Sequence, residues 1–553
     1  MTKFNLILLS FSIQIILTLG LSDPKKLEGT IISPSVSNLN LTNLWTGFEF
    51  SNPYIFTKVT WEQSSNSSLF LLGVFEGAND PSFIDAIPLN MIKDDEDKTL
   101  YELDIDVKLS FKYIRYVSSD NLTLISSFNV YGYEQSGSDD NINYYQVTNI
   151  PLISIHSDKP LPKSGFKALN DNQKVKCNTV IINNGKIEIN RNGKMRLRGN
   201  GSRLQPKRSY QITFEKKTKV LDMPSTAKKW VLIANYMDKT LIRNLVAFKV
   251  SEILELKYTP TCKSVDLIFN GVYDGTYMIC EKVEVGKNRV ELGENEENYD
   301  DGFLIVIEND WSKSKEDYVV TSEKGIPMTI RYPDEPSDSQ LSNLKNWFDN
   351  IERDVYNNIT DLIDLDSFSK HFLLEEFISD IDFVYGSYYI TKNYNDDKIY
   401  FGPGWDYDLA FDNDFRIYPT NEKTKWTYNF GGSAGTLRDF VAKTMSIQQV
   451  LDAVQSKWKE VTMYDLAPDV LINYINEQAE LINESQKLNY QRWKILDKPV
   501  GMDPVARGSY EAEVSYLKSF IEDRFPLFTK MLLEANTSSF EVDVEEFKPN
   551  HDN

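Results

Sequence analysis

A chain of 553 residues is too long for one compact core, so two or three domains are expected. A hydrophobic fraction of 41%, with 30 Tyr and 30 Phe, excludes wholesale disorder. With 60 Lys and Arg against 81 Asp and Glu, the formal charge of -21 argues against nucleic acid or an anionic membrane as the main partner, since either would be repelled.

The opening residues MTKFNLILLSFSIQIILTLGLS read as a secretory signal over residues 1–22, with an uncleaved membrane anchor as the alternative that the short, Ser- and Gln-interrupted apolar run disfavours. Lys3 supplies the positive start, Phe4 to Leu19 is mostly apolar, and Gly20 and Ser22 are small residues near a cleavage point. No later stretch is long and apolar enough to span a bilayer. Sequons at Asn40, Asn66, Asn121, Asn200, Asn358, Asn483 and Asn536 agree with a eukaryotic secretory route, and so with a secreted, lumenal or cell-surface protein. Asn200 is expected to stay unmodified, because a glycan there would block the basic turn described below.

Residues 23–140 read as a β-sandwich. WTGFEF, IFTKVTWE, LFLLGVFEG and FKYIRYV are short, aromatic and β-branched segments separated by Asn, Ser, Asp and Pro. The stretch FKYIRYVSSDNLTLISSFNVYGYE resembles the last strands of discoidin-like, galactose-binding-type sandwiches. Sugar-binding loops and a structural spacer are both open readings of it. GSDDNINY, residues 137–144, reads as a linker.

A second region runs over 147–540, strand-rich to about 310 and mostly helical after it; residues 541–553 form an acidic flexible tail. Near its start, MRLRGNGSRLQPKRSYQITFEKK (195–217) holds Arg196, Arg198, Arg203, Lys207, Arg208, Lys216 and Lys217 against the single acid Glu215. In so acidic a protein this is either a solvated cationic face or an anion site, most simply one for phosphate. KTLIRNLVAFKVSEIL has helical apolar spacing, with Asp238 placed to cap it. SVDLIFNGVYDGTYMIC reads as a hairpin turning at Asn270-Gly271. An unbroken register from that turn sets Phe269 against Val272 and Cys262 against Ile279, which leaves Cys280 on the other face and disfavours a disulfide. SQLSNLKNWFDNIERDVY, LDSFSKHFLLEEFI and AEVSYLKSFIEDRFPLFTKMLLEA read as helices.

An acidic counterpart follows in FISDIDFVYGSYYITKNYNDDKIYFGPGWDYDLAFDND. Asp380 and Asp382 are expected to end a helix, and Asp406 and Asp408 to share one side of an extended segment. At about 4 Å and an effective dielectric near 20, two such charges repel by roughly 4 kcal/mol. A cation, a shared proton or solvent must relieve that, and oxygen ligands of this kind suit Mg²⁺ bridged to phosphates. A cationic clamp, a divalent metal and a separate carboxylate are the parts that phosphoryl transfer needs. A turn of solvated acids is the alternative.

The ordered set RGNGSRLQPKRSYQITFEK, KKWVLIANYMDKTLIRNLVAFKVS, LIFNGVYDGTYMICEKVEVGKNRVEL, LDSFSKHFLLEEFISDIDFVYGSYYITKN, YFGPGWDYDLAF and AEVSYLKSFIEDRFPL resembles the CotH (spore coat protein H) kinases over roughly 150–535. The resemblance implies an α+β fold, a diverged two-lobed protein kinase, here preceded by the N-terminal sandwich. It implies transfer of the γ-phosphate of ATP, with Mg²⁺ or Mn²⁺, to Ser or Thr of secreted or surface proteins. By the family pattern Asp382 matches the catalytic-loop acid. Asp406 matches the metal-binding acid, with Asp408 as second ligand or neighbour. Arg198, Arg203 and Lys207 would meet the ATP phosphates, braced by Arg243 and Asn244. Glu281 and Lys282, at a hinge between lobes, are counted with the nucleotide site. The chain departs from the family in having Asp380 where Asn is usual and Asp412 where Gly is common, and it lacks the usual kinase glycine-rich loop. A noncatalytic surface, coat or adhesion protein, binding a glycan or a protein partner, is the competing function. A glycosidase reading of the paired acids leaves the basic segment idle.

Overall fold

The computed structural model describes residues 24–34, 45–62, 71–93, 99–119, 125, 127–134, 142–161, 173–199, 201–293, 301–308, 318–355, 357–422, 424–431 and 436–540. The signal segment, the tail, Asn200 and most of the 137–144 linker lie outside the described residues. The chain divides into two compact units, Met1–Tyr145 and Gln146–Asn553.

The first unit is β-rich. WTGFEF and IFTKVTWE, expected as separate strands, belong to one 18-residue strand, Trp45–Glu62. Ser51, Asn52 and Pro53 do not end it, because the pairing with Ser110–Val117 absorbs them in a register shift between Glu49 and Tyr54. Trp45–Glu62 also pairs with Thr30–Ile32 near one end and with Leu100–Asp104 and Asn129–Glu134 toward the other. Phe50, Phe56, Phe75, Tyr116 and Phe128 fill the interior. Arg115, on the other face of its strand from Tyr116, is buried because Glu76 accepts its guanidinium at 2.8 Å and Phe83 covers its face at 4.2 Å.

The second unit contains a closed barrel. Its strands run, in spatial order, Val175–Asn183, Lys186–Leu197, Tyr210–Lys219, Thr226–Ile233, Val272–Glu281, Cys262–Phe269 and Leu152–Ser157. Neighbours are antiparallel except for Leu152–Ser157 beside Cys262–Phe269. Met195, Leu197, Tyr210, Ile212, Trp230, Leu232, Tyr277 and Ile279 belong to the core this barrel encloses. Strand alternation therefore turns Arg196 and Arg198 to the outside.

The Cys262–Phe269 and Val272–Glu281 hairpin corrects the expected register. Phe269 does face Val272, and Asn270 and Gly271 both have positive φ, as a tight turn of this kind requires. The register then shifts between Leu267 and Ile268, with Asp274 as the extra residue. Every later pair moves by one, so Cys262 faces Cys280, and the two form a disulfide. Gly275 stands beside the bulge at φ +109, where a Cβ would lie 2.4 Å from Asn489 Oδ1.

Asn489 belongs to the helix Asn483–Arg492, which is fastened to the barrel by side chains. Its Oδ1 accepts from the Thr276 amide at 3.2 Å, while Ser485 Oγ donates to the buried Asp266 at 2.6 Å. The rest of the unit is a five-stranded sheet with Phe303–Ile307 paired to Tyr388–Lys392, together with helices that share one large core. Asp338–Asp354, Leu365–Ile378 and Tyr510–Glu534 realise the expected helical segments, with Asp364 and Ser509 capping the last two. The whole is mixed α+β, sheet-rich first and helical later. Among the described residues no helix is long and apolar enough to cross a membrane.

Candidate active site

A cavity of about 530 Å³ in the second unit is lined by Arg198, Asp382, Ser387, Asp406, Asp408 and Arg416, and also by Leu204, Ile233, Met237, Leu409 and Met502. Charged and apolar walls in a space of that size suit a small-molecule ligand with a polar and an apolar part.

The acids reach the cavity by two turns. The helix Leu365–Ile378 stops before the acids, at Ser379 in the left-handed conformation with φ +54. Asp380 is buried and accepts from the Asp382 amide at 3.1 Å, which caps the short 3₁₀ turn Ile381–Val384. Asp382 is thereby held at the cavity. Strands Tyr388–Lys392 and Ile399–Phe401 then lead to Trp405–Asp408, which is not the extended segment expected. Asp406 has φ +77. Between the two acids, buried Tyr407 donates its amide to Asn244 Oδ1 at 2.8 Å and its hydroxyl to Glu375 at 2.9 Å. Those bonds, rather than strand alternation, fix where Asp406 and Asp408 stand.

Burial raises the Asp406 carboxyl above the usual carboxylate range; the Arg198 guanidinium pulls it down and Asp382 adds to the rise. Ser387 Oγ donates to Asp406 at 3.3 Å. Burial, followed by the charges of Asp406, Asp238 and Asp382, pushes Asp408 well up. Among the described residues no three His, Cys, Asp or Glu side chains form a ready metal cage. The donor chemistry fits Mg²⁺ or Mn²⁺ of another kind, since such an ion commonly takes one or two protein carboxylates and completes its shell with phosphate and water.

The basic segment divides. Arg198 leaves the barrel at the end of Lys186–Leu197, its amide bonded to Ser209 O, and its guanidinium lies 5.1 Å from the Trp405 ring centre. Gly199 at φ +85 lets the chain turn there, since a Cβ would sit 2.0 Å from Ser202 Oγ. Lys207 borders the cavity as well, but not as the free cation expected. Its ammonium is buried and donates to Ala234 O at 2.8 Å, Thr276 O at 2.5 Å and Asn489 Oδ1 at 2.9 Å, so its three donors are spent on the fold. Burial lowers its pKa to about 7. Arg203 is corrected as well: it is buried, donates to Leu197 O, and is not among the cavity-lining residues.

Arg243 does not line the cavity either. It is sealed under it, paired at 2.6 Å with Asp238, whose other oxygen takes the Arg243 amide. Asp238 thus anchors the start of the helix Arg243–Ile253 from a turn upstream, not from the N-cap position, which Ile242 occupies. Asn244 is the residue that joins this helix to the acidic turn. Glu281 and Lys282 are the last correction. Buried Glu281 accepts from the amides of Ser225 and Thr261, tying loops together, and Lys282 lies 3.6 Å from Glu284. Neither lines the cavity, and burial holds Lys282 down to about 8.

Sequence reasoning missed Arg416, which pairs with both Asp382 and Asp414 at the cavity wall. A lone cation inside the acidic run DNDFRIYP was the available signal. It also missed Glu375, which lies behind Asp382 and interacts with Asp380. Burial raises Glu375 to about 8 and Asp380 well above its usual range, with His371 beside Glu375 held down to about 3. Burial thus favours the protonated forms of both Glu375 and Asp380, and the charge of Glu375 adds to the rise at Asp380.

A family model described as "CotH kinase protein" matches residues 195–526, more than half of the chain. No match was found among curated proteins. Among solved structures, CBM62 from Clostridium thermocellum Xyl5A is 25% identical over 20% of this chain and 97% of its own, with a TM-score of 0.17. CpGH89CBM32-6 produced by Clostridium perfringens is 17% identical over 19% of this chain and 72% of its own, with a TM-score of 0.13. At those TM-scores neither likeness bears on fold or ligand.

Proposed function

The chain belongs to the CotH kinase family, and from that premise we propose that it is a secretory-pathway protein kinase that moves the γ-phosphate of ATP to Ser or Thr of secreted or surface proteins. The observation that carries the reading is one cavity holding Asp382, Asp406, Asp408 and Arg198. The barrel with its helix Arg243–Ile253 serves as the smaller lobe and the helical remainder as the larger. The Cys262–Cys280 disulfide supports an oxidising compartment. The first unit is proposed as the sandwich expected for 23–140, with a glycan or a protein partner as its ligand; this rests on its strand sequences alone.

Asp382 aligns the acceptor hydroxyl and takes its proton as the oxygen bonds to the γ-phosphorus; the bond to the β–γ bridging oxygen breaks and ADP leaves. Asp406 and Asp408 would hold the divalent cation, which when bound neutralises phosphate charge. Arg198 meets a phosphate from the barrel side. Leu204, Ile233, Met237 and Met502 offer the apolar wall that a nucleobase requires.

Calorimetric ATP titration with and without Mg²⁺ or Mn²⁺, paired with phosphoamino-acid analysis of an acceptor protein, tests the assignment. Asp382→Ala should bind ATP and fail to transfer, while Asp406→Ala should lose metal-dependent binding too. Equal, metal-independent loss of ATP binding in both variants contradicts the division of labour. ATP binding with no transfer by the wild type favours the noncatalytic reading.

A further inference from the structure

Arg416 is the cation that neither the basic segment nor the family resemblance pointed to. Its Nε donates to Asp414 Oδ1 and Oδ2 at 2.9 and 3.0 Å, and its Nη2 donates to both Asp414 and Asp382. The Asp414 side chain is fully buried, while that of Arg416 keeps 16% exposure. Tyr385 lies against the guanidinium, 4.8 Å from its carbon. One edge of the fork is thus fixed in place. Nη1 remains. Among the described residues it has no hydrogen-bond partner, and it is not sealed from solvent, although Arg416 lines the cavity that Asp382 and Asp406 share.

We propose that Arg416 is a further catalytic residue, a cation supplied within the chain that donates from Nη1 to the phosphoryl group in flight between ATP and the acceptor. The inference rests on the kinase reading and deepens it. A guanidinium anchored by a buried carboxylate loses little freedom on meeting phosphate, and the fork that holds the acids aims the remaining Nη1 amino group, with its two N–H donors, at the phosphoryl oxygens. Charge spreads over those oxygens as the bonds to the entering and leaving oxygens are both partial, so a preorganised donor there acts mainly on the rate. The same residue keeps Asp382 beside the path of transfer, which places acceptor base and phosphoryl contact on one support.

Two measurements on the full chain separate this role from simple propping of Asp382. Arg416→Ala should lower kcat for transfer from ATP by roughly 100- to 1,000-fold while leaving the affinity for ADP near that of the wild type. It should also lose the extra affinity that aluminium fluoride gives to ADP binding, because that anion occupies the place of the phosphoryl group. Arg416→Lys keeps the ion pair with Asp414 and loses the planar fork, so it should fall in between, and it replaces the Ala variant if that one does not fold. A wild-type kcat in Arg416→Ala, or slow transfer with undiminished affinity for ADP plus aluminium fluoride, overturns the inference and spares the kinase reading. A wild type that neither binds ATP nor transfers phosphate removes both.

Discussion

The two charged segments of the second unit follow opposite rules. Residues 195–217 advertise seven cations, and of the three chosen as phosphate contacts Arg198 and Lys207 border the cavity while Arg203 does not, but only Arg198 keeps its charge clear of the fold's own acceptors. Lys207 and Arg203 are consumed by backbone carbonyls and by Asn489. Residues 380–416 advertise acids, and there Asp382, Asp406 and Asp408 all line the cavity, with a cation of their own in Arg416. Charge density in a sequence marks where a site is built. Burial and hydrogen bonding decide which of the charges serve the ligand.

The largest expected effect falls on the acidic side. Asp382→Ala should cost about 100- to 10,000-fold in the rate of transfer with ATP affinity kept. Removing divalent metal with a chelator should abolish transfer by the wild type, and raised Mn²⁺ should rescue a weakened Asp406 variant in part but not Asp382→Ala. The next contrast lies within the basic segment. Arg198→Ala should weaken ATP binding by roughly 10- to 100-fold with little change in melting temperature, since one charge-assisted bond to phosphate contributes about 1.5–3 kcal/mol. Lys207→Ala should do the reverse, because it strands buried acceptors at a cost of at least about 2 kcal/mol of stability. Equal losses of affinity in both variants would restore Lys207 to the phosphate site.

A smaller effect is set by Glu375. Its folded pKa stands near 8, above the ordinary 4.5, so the folded protein holds a proton that the unfolded chain has already released at neutral pH. The stability it contributes is therefore complete below its ordinary value and is lost as pH rises through about 8. Thermal melting followed over that window should show this decline in the wild type and a flatter profile in Glu375→Gln. Deleting residues 1–145 should change least. The second unit is expected to remain soluble, to melt cooperatively and to keep its ATP affinity. Aggregation or a broad, noncooperative melt would mean that the units depend on one another.

Helix periodicity and turn chemistry made Asp338–Asp354, Leu365–Ile378, Tyr510–Glu534 and the Asn270-Gly271 hairpin legible in the sequence. Bulges were not. The extra residue at Asp274 reversed the face of Cys280 and so created a disulfide that an ideal register forbids. The shift after Glu49 likewise joined two apparent strands into one. The acids that line the cavity stood out in the sequence because their spacing recurs in a family pattern. The fates of Lys207, Glu281 and Arg243 were not, because each depends on partners far along the chain or in another turn: Asn489, Ser225 and Asp238. Arg416 reads in sequence as one Arg among acids; only the folded chain brings it to Asp382.

The central claim is that the cavity around Asp382 and Asp406 performs phosphoryl transfer. Its most direct test is incorporation of radiolabel from γ-labelled ATP into protein by the purified mature chain, wild type beside Asp406→Ala, with Mg²⁺ or Mn²⁺ present and then chelated. The account predicts metal-dependent labelling of Ser or Thr by the wild type and its loss in the variant. Labelling of equal extent in both proteins, or none by the wild type under any metal, would contradict it.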